Sequence, residues 1–197
     1  MRKLITLLIV SAFSSISFAG QIRYCDDMSR VPNMPHLNSD QFARYLRDKG
    51  DVDRILVSKY RRELYLIDDG VVLKTYHVAF GGDPLGGPKH FEGDQKTPEG
   101  LYNIDYKNPK SAYFLSLHTS YPNDADVDYA RARGKSPGGD IMIHGFAIEP
   151  KMHAKAVANH PNDWTDGCMA VTDEEIKEIF ALVKEKTAVE ICSPQQR

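Results

Sequence analysis

The sequence predicts a mainly β fold with a few helices, of the α+β class, and three observations carry that prediction. Short apolar runs rich in β-branched and aromatic residues recur between residues 55 and 144. Clusters of Asp, Gly and Pro separate them, supplying the backbone angles that turns need. Helical spacing is confined to a stretch after Ser39 and to the chain beyond His144. No internal repeat, low-complexity tract or second domain is evident.

Each element has its own warrant. Residues 20–38 show little periodicity and hold Pro32 and Pro35, so they read as a surface-running lead-in without a fold of its own. Ser39 is expected to cap a short helix carrying Phe42, Tyr45 and Leu46 at i, i+3, i+4, one apolar stripe. Ile55-Leu56-Val57 opens a first strand, Leu64-Tyr65-Leu66-Ile67 a second and residues 71–80 a third, with Asp68-Asp69-Gly70 as the hairpin turn between the last two. Residues 81–100 contain six glycines and three prolines, too many missing donors and free dihedrals for regular structure, and predict a long loop. Leu101-Tyr102-Asn103-Ile104 and residues 113–118 read as strands. After a Gly/Pro loop at 134–139, Ile141-Met142-Ile143-His144 gives a short strand ending on the histidine. Residues 151–159 are helical, Thr172 and Glu175 form a capping box ahead of Ile176, Ile179, Phe180 and Val183, and residues 187–191 close the chain as a strand.

The N-terminal segment changes the arithmetic. Arg2 and Lys3 precede an apolar run over residues 4–13, and Ser17-Phe18-Ala19 puts small residues where a signal peptidase reads them. Cleavage after Ala19 leaves 178 of the 197 residues and takes the formal charge from −2 to −4, because Arg2 and Lys3 are the only charges lost. A negative chain of this kind argues against nucleic acid or an anionic membrane as partner. The apolar run is about half the roughly 20 residues a membrane span needs, so no stable insertion is expected after cleavage. An uncleaved N-terminal anchor is the other reading of the segment. A lipoprotein is disfavoured because Cys25 follows Ile22-Arg23-Tyr24 rather than small apolar residues. The domain is expected to be exported on either reading. About 178 residues suit one domain, able to bury about 70% of its unfolded surface without a disulfide framework.

Export matters for the three cysteines, Cys25, Cys168 and Cys192, since thiols tend to pair in an oxidising compartment. Cys25 and Cys192 lie near the two ends of the mature chain, which in a single domain are often close, and are the candidate disulfide, worth on the order of 4 kcal/mol if unstrained. Cys168 is the candidate free thiol. It sits in Thr165-Asp166-Gly167-Cys168, where a glycine beside a thiol suggests a backbone shaped for a purpose. The alternative is a buried Cys168 serving as a small hydrophobe. A nucleophilic cysteine needs a base or cation, because a free thiol is only a few per cent ionised at neutral pH. His144 is the candidate, its imidazolium favouring the thiolate. Cys168 precedes a capped helix and His144 ends a strand, so both stand where a sheet presents side chains to a cleft. The backbone N–H groups of Gly167 and Cys168 are the candidate donors to an acyl oxyanion.

These residues carry a resemblance. Ile143-His144-Gly145 followed by Thr165-Asp166-Gly167-Cys168, the upstream Lys96-Thr97-Pro98-Glu99-Gly100-Leu101-Tyr102, and Pro137-Gly138-Gly139-Asp140 just before the histidine together resemble an L,D-transpeptidase of the YkuD family. The resemblance implies a largely antiparallel β domain with a Cys-His site, Cys168 as nucleophile toward peptidoglycan stem peptides, His144 as proton donor and acceptor, and the Gly145 carbonyl orienting the ring. It implies three segments: 1–19 as signal peptide, 20–50 as a lead-in with a short helix, and 51–193 as the catalytic domain. It implies no cofactor, a periplasmic location, and a part in wall biogenesis or degradation and cell shape, with a wall-linked protein as a further partner. The sequence departs from many members at Asp166, where a second histidine often stands, at Ala170, and in a longer gap between His144 and Thr165.

Other readings stand beside this one. The same pair serves a peptidoglycan hydrolase if water resolves the thioester, and a non-catalytic wall-binding domain is the reading from another class. His144, His153, His160 and Cys168 match no zinc spacing, so no metal is expected. Thr165 and Asp166 are expected to contact substrate or hold the turn, Asp166 either capping the turn or biasing His144 or an incoming amine. Arg131 and Arg133 read as a solvated face or as partners of a substrate carboxylate, and Trp164 as a packing anchor or a wall-peptide contact.

Overall fold

The computed structural model describes residues 23–26, 28–48, 51–159 and 161–193; the proposed signal segment and His160 lie outside them. Eight strands, β1 (Arg54–Ser58), β2 (Glu63–Asp68), β3 (Val71–His77), β4 (Gly100–Ser111), β5 (Phe114–Thr119), β6 (Met142–His144), β7 (Met169–Ala170) and β8 (Ala188–Cys192), form one sheet among the described residues, in the order β3-β2-β1-β8-β4-β5-β6-β7. Four helices accompany it, α1 (Ser39–Arg47), α2 (Asp124–Arg131), α3 (Pro150–Asn159) and α4 (Asp173–Leu182). The sheet is mixed, with parallel pairs β1·β8 and β6·β7 among antiparallel neighbours. The expected largely antiparallel sheet is thus borne out, and the two parallel pairs were not legible because an apolar run is compatible with either sense of pairing.

β1 shows how the sequence builds the core. Alternate side chains of a strand point to opposite faces. Ile55 and Val57 enter the main core with Leu64, Leu66, Phe80, Ile143, Met169, Ile176 and Ile179. Leu56, between them, faces a smaller cluster with Met28, Val31, Tyr65, Ile67, Val72 and Cys192. Burial of both faces explains the unbroken apolar run. The β2–β3 hairpin closes through Asp69 and Gly70, both at positive φ (44° and 73°), as a two-residue turn matched to strand twist demands.

The lead-in departs from expectation. It forms 3-10 turns at Tyr24–Asp26 and Met28–Asn33, and Met28 and Val31, one such turn apart, cover Leu56, Tyr65, Ile67 and Val72. Two buried side chains are too few to register as periodicity. Cys25 is joined to Cys192 of β8, with Cα atoms 5.0 Å apart, and its N–H donates to Glu190 Oε1 at 2.9 Å. Glu190 also holds Arg54 in a buried ion pair at 2.6 Å. For a sequence separation of 167 the chain-entropy argument gives about 5 kcal/mol. Cys25→Ser with Cys192→Ser should therefore lower the urea unfolding free energy by up to about that amount. Thiol labelling of the native protein without reductant should mark Cys168 alone.

Two helix assignments are also corrected. Asn38, not Ser39, caps α1: its side chain accepts from the Gln41 N–H, and Gln41 reaches back to the Asn38 N–H. Helix α2 precedes His144, where no helix was expected. Asn123 and Asp126 form its capping box, but the acidic first turn and the lone buried residue, Ala130, leave no apolar stripe to read.

The third apolar run is divided. β3 ends at His77, and the chain then crosses to the far end of the sheet, where Ala79 bridges Ala170 and Gly81 bridges Thr165. Trp164 N–H and Thr165 N–H both donate to the Phe80 carbonyl at 3.0 Å. This crossing frames the turn that carries Cys168.

Candidate active site

β6 and β7 pair in parallel, with Ile143 opposite Met169 and His144 opposite Ala170. Cys168, one residue before β7, therefore lies beside the strand that ends in His144. Both side chains line one cleft of about 560 Å³, together with Tyr113, Trp164, Thr165, Asp166 and Lys155. A second cleft of about 390 Å³, lined by Lys89, Glu92 and Gly138 among others, meets the first at Asp140, Asp166 and Cys168.

His144 is only 2% exposed. Its Nδ1–H donates to the Gly145 carbonyl at 2.6 Å, so the neutral ring leaves Nε2 as the acceptor. Tyr113 and Trp164 flank the imidazole, with ring centroids at 4.4 and 5.8 Å. Gly145 has a steric reason: a Cβ there would lie 2.6 Å from Asp173 Oδ1 and 3.0 Å from Ile176 Cγ2. Asp173, in the first turn of α4, accepts from the Phe146 N–H at 2.8 Å and fixes the chain just past the histidine.

The protonation state differs from the expected imidazolium–thiolate pair. Burial pushes His144 down to about 4, and the hydrogen bond to Gly145 offsets only part of that. Burial also pushes the half-buried Cys168 thiol up; the Met142 N–H and Lys89 favour the thiolate, whereas Asp140 and Asp166 oppose it. At neutral pH these shifts leave an uncharged imidazole and an un-ionised thiol lining the same cleft. The sulfur lies 3.3 Å from the Asp140 carbonyl, which accepts from it. Residue type alone could not foretell this, because it depends on how deeply the ring is buried.

The turn before Cys168 is held by Thr165. Its hydroxyl donates to the Cys168 carbonyl at 2.7 Å and accepts from the Gly167 N–H at 3.1 Å. The Gly167 amide, expected to face an oxyanion, is engaged within the turn. Among the described residues Asp166 makes no hydrogen bond or ion pair; its exposed carboxylate stands where the two clefts meet, so the capping reading is corrected. Gly167 itself has φ +130°, and a Cβ there would meet the Lys96 carbonyl at 2.5 Å. Gly167→Ala should cost about 1–3 kcal/mol in strain alone, read as a shifted urea midpoint.

The remaining candidates fall elsewhere. Arg131 pairs with Asp128 at 3.5 Å and Arg133 lies over Tyr129; both are exposed and neither lines either of these two clefts, which favours the solvated-face reading. His153 Nδ1 lies 3.1 Å from the Ala147 carbonyl. Among the described residues no group of three or more His, Cys, Asp or Glu is placed to hold a metal ion. Tyr113 and Lys155 were not anticipated as site residues. Asp140 was marked only by its place in Pro137-Gly138-Gly139-Asp140, and it takes a positive φ of 54°.

Known proteins share this arrangement of chain. A model of the YkuD L,D-transpeptidase catalytic domain matches residues 52–191. YafK of Escherichia coli is 27% identical over 188 residues in both strains K12 and O157:H7, covering 93% of this chain, which spans 64% of the length of YafK. The crystal structure of the helical cell shape determining protein Pgp2 from Campylobacter jejuni superposes with a TM-score of 0.52 at 24% identity, over 79% of this chain and 56% of Pgp2, a likeness of fold. No helix among the described residues is long and apolar enough to cross a membrane. With the domain match running from just before β1 almost to the end of β8, the chain belongs to the YkuD family of L,D-transpeptidase catalytic domains.

Proposed function

We propose that the protein is a cysteine acyltransferase acting on peptidoglycan stem peptides, with Cys168 as nucleophile and His144 as its base. The observation that supports this reading is the neutral His144 ring tied through Nδ1 to Gly145, lining one cleft with a free thiol. In the first half-reaction the sulfur bonds to the donor carbonyl while its proton passes to Nε2 of His144. The Cys168 backbone N–H is the proposed donor to the resulting oxyanion. Collapse breaks the C–N bond, the proton on His144 goes to the departing D-alanine amine, and a thioester remains. In the second half-reaction an amine attacks the thioester, gives its proton to His144, and the sulfur is released and reprotonated.

Two clefts meeting at the sulfur suit two peptides, one arriving as donor and one as acceptor. That arrangement favours transfer to an amine, from a second stem peptide or a wall-linked protein, over transfer to water. We place the reaction outside the cytoplasm, in the periplasm, with residues 1–19 as the export signal. Purified peptidoglycan incubated with the protein and then digested should yield new cross-linked muropeptides. Lost cross-links or shortened stems would identify a hydrolase on the same residues, and an unchanged digest would overturn both.

A further inference from the structure

The Lys-Thr-Pro-Glu-Gly segment has no part in the reaction above, yet it contacts the nucleophile turn and is held by a buried lysine. Lys59 follows β1 directly and is 0% exposed. An ammonium buried in a protein is costly unless each of its three donors finds an acceptor. Here all three do: Nζ donates to the Gly87 carbonyl at 2.9 Å, the Thr97 carbonyl at 3.2 Å and Glu99 Oε1 at 2.7 Å. The lysine therefore ties the middle of the 81–100 loop to its end.

Thr97 passes that constraint on. It is fully buried, and its hydroxyl donates to the Gly167 carbonyl at 2.9 Å, one residue before Cys168. The Thr97 carbonyl also accepts from the Lys89 N–H at 3.2 Å, on the wall of the second cleft. The fit leaves no slack, since the Lys96 carbonyl occupies the space of a Gly167 side chain. From within the turn, the Thr165 hydroxyl holds the Cys168 carbonyl and the Gly167 N–H.

We propose that Lys59 is a positioning residue for the nucleophile turn, acting through the Thr97 hydroxyl on the Gly167 carbonyl. This rests on the reading of Cys168 as the nucleophile. Removing the Thr97 hydroxyl leaves the Gly167 carbonyl without that donor, and removing Lys59 frees the Thr97 backbone that carries the hydroxyl, so either change lets the turn shift; a displacement of about 1 Å at a reacting atom can cost about 100-fold in rate.

The test uses the full chain with Lys59→Met, Thr97→Val, Thr97→Ser and the Lys59→Met, Thr97→Val double variant. Iodoacetamide alkylation of Cys168 against pH is the first readout, and it needs no wall substrate. Lys59→Met and Thr97→Val should each move the alkylation midpoint down toward that of an ordinary thiol, as water reaches the sulfur. Thr97→Ser, which keeps the hydroxyl, should stay within about twofold of wild type in rate, and the double variant should match the more severe single one. With stem-peptide donor, kcat should fall about 10- to 100-fold with little change in KM. Wild-type midpoints in folded variants, a Ser variant as altered as Val, or purely additive effects would each overturn the proposal. If Lys59→Met fails to fold, the Thr97 pair decides alone. Coupled alkylation effects in a protein that forms no acyl adduct would uphold the positioning role and reject the proposed function.

Discussion

Cys168→Ala is expected to reduce acyl transfer from stem peptides to background, a loss of at least about 10⁴-fold. The change removes the atom that attacks the carbonyl but little volume. The sulfur's neighbours are the Met142 N–H and the Asp140 carbonyl, both on a strand and loop anchored elsewhere. Stability should therefore hold to within about 1 kcal/mol. Chromatography of a muropeptide reaction measures the first quantity and thermal unfolding the second. Retained turnover in the folded variant would move the chemistry to another residue.

His144→Ala should cost about 10²–10⁴-fold in acylation, the usual contribution of a general base. The pH profile is the sharper test. A base must be unprotonated to act, and His144 takes up its proton only as pH falls through about 4. Acylation by the wild-type protein should therefore lose rate through an acid limb near pH 4 rather than near the ordinary histidine value of about 6.5. On the alkaline side the thiol ionises above its usual range, since burial raises it. A limb near 6.5 would mean that His144 is better solvated than its 2% exposure implies.

What the sequence discloses, and what it hides, follows from how local each cause is. The Thr172–Glu175 capping box and the Asp69-Gly70 turn are set by residues three apart or fewer, and both stand as read. The run Ile55-Leu56-Val57 announces a strand but not its partner, so the parallel neighbour β8, drawn from the other end of the chain, was hidden. Met28 and Val31 lie in a segment rich in turn formers, and their burial exists only because β1, β2 and β3 offer a second apolar face. At the site, His144 and Cys168 are marked by the glycines beside them. Their charge state is set by burial, a property of the assembled sheet. The Thr97 hydroxyl reaches Gly167 across 70 residues, a contact that no motif spacing expresses.

The central claim is a thioester on Cys168, and intact-protein mass spectrometry of an acid-quenched reaction with a purified tetrapeptide muropeptide tests it most directly. The account predicts a mass increase equal to the donor less D-alanine, mapped by digestion to the peptide containing Cys168 and removed by neutral hydroxylamine. An adduct on any other residue, or donor consumed with the protein mass unchanged at every quench time, would contradict it.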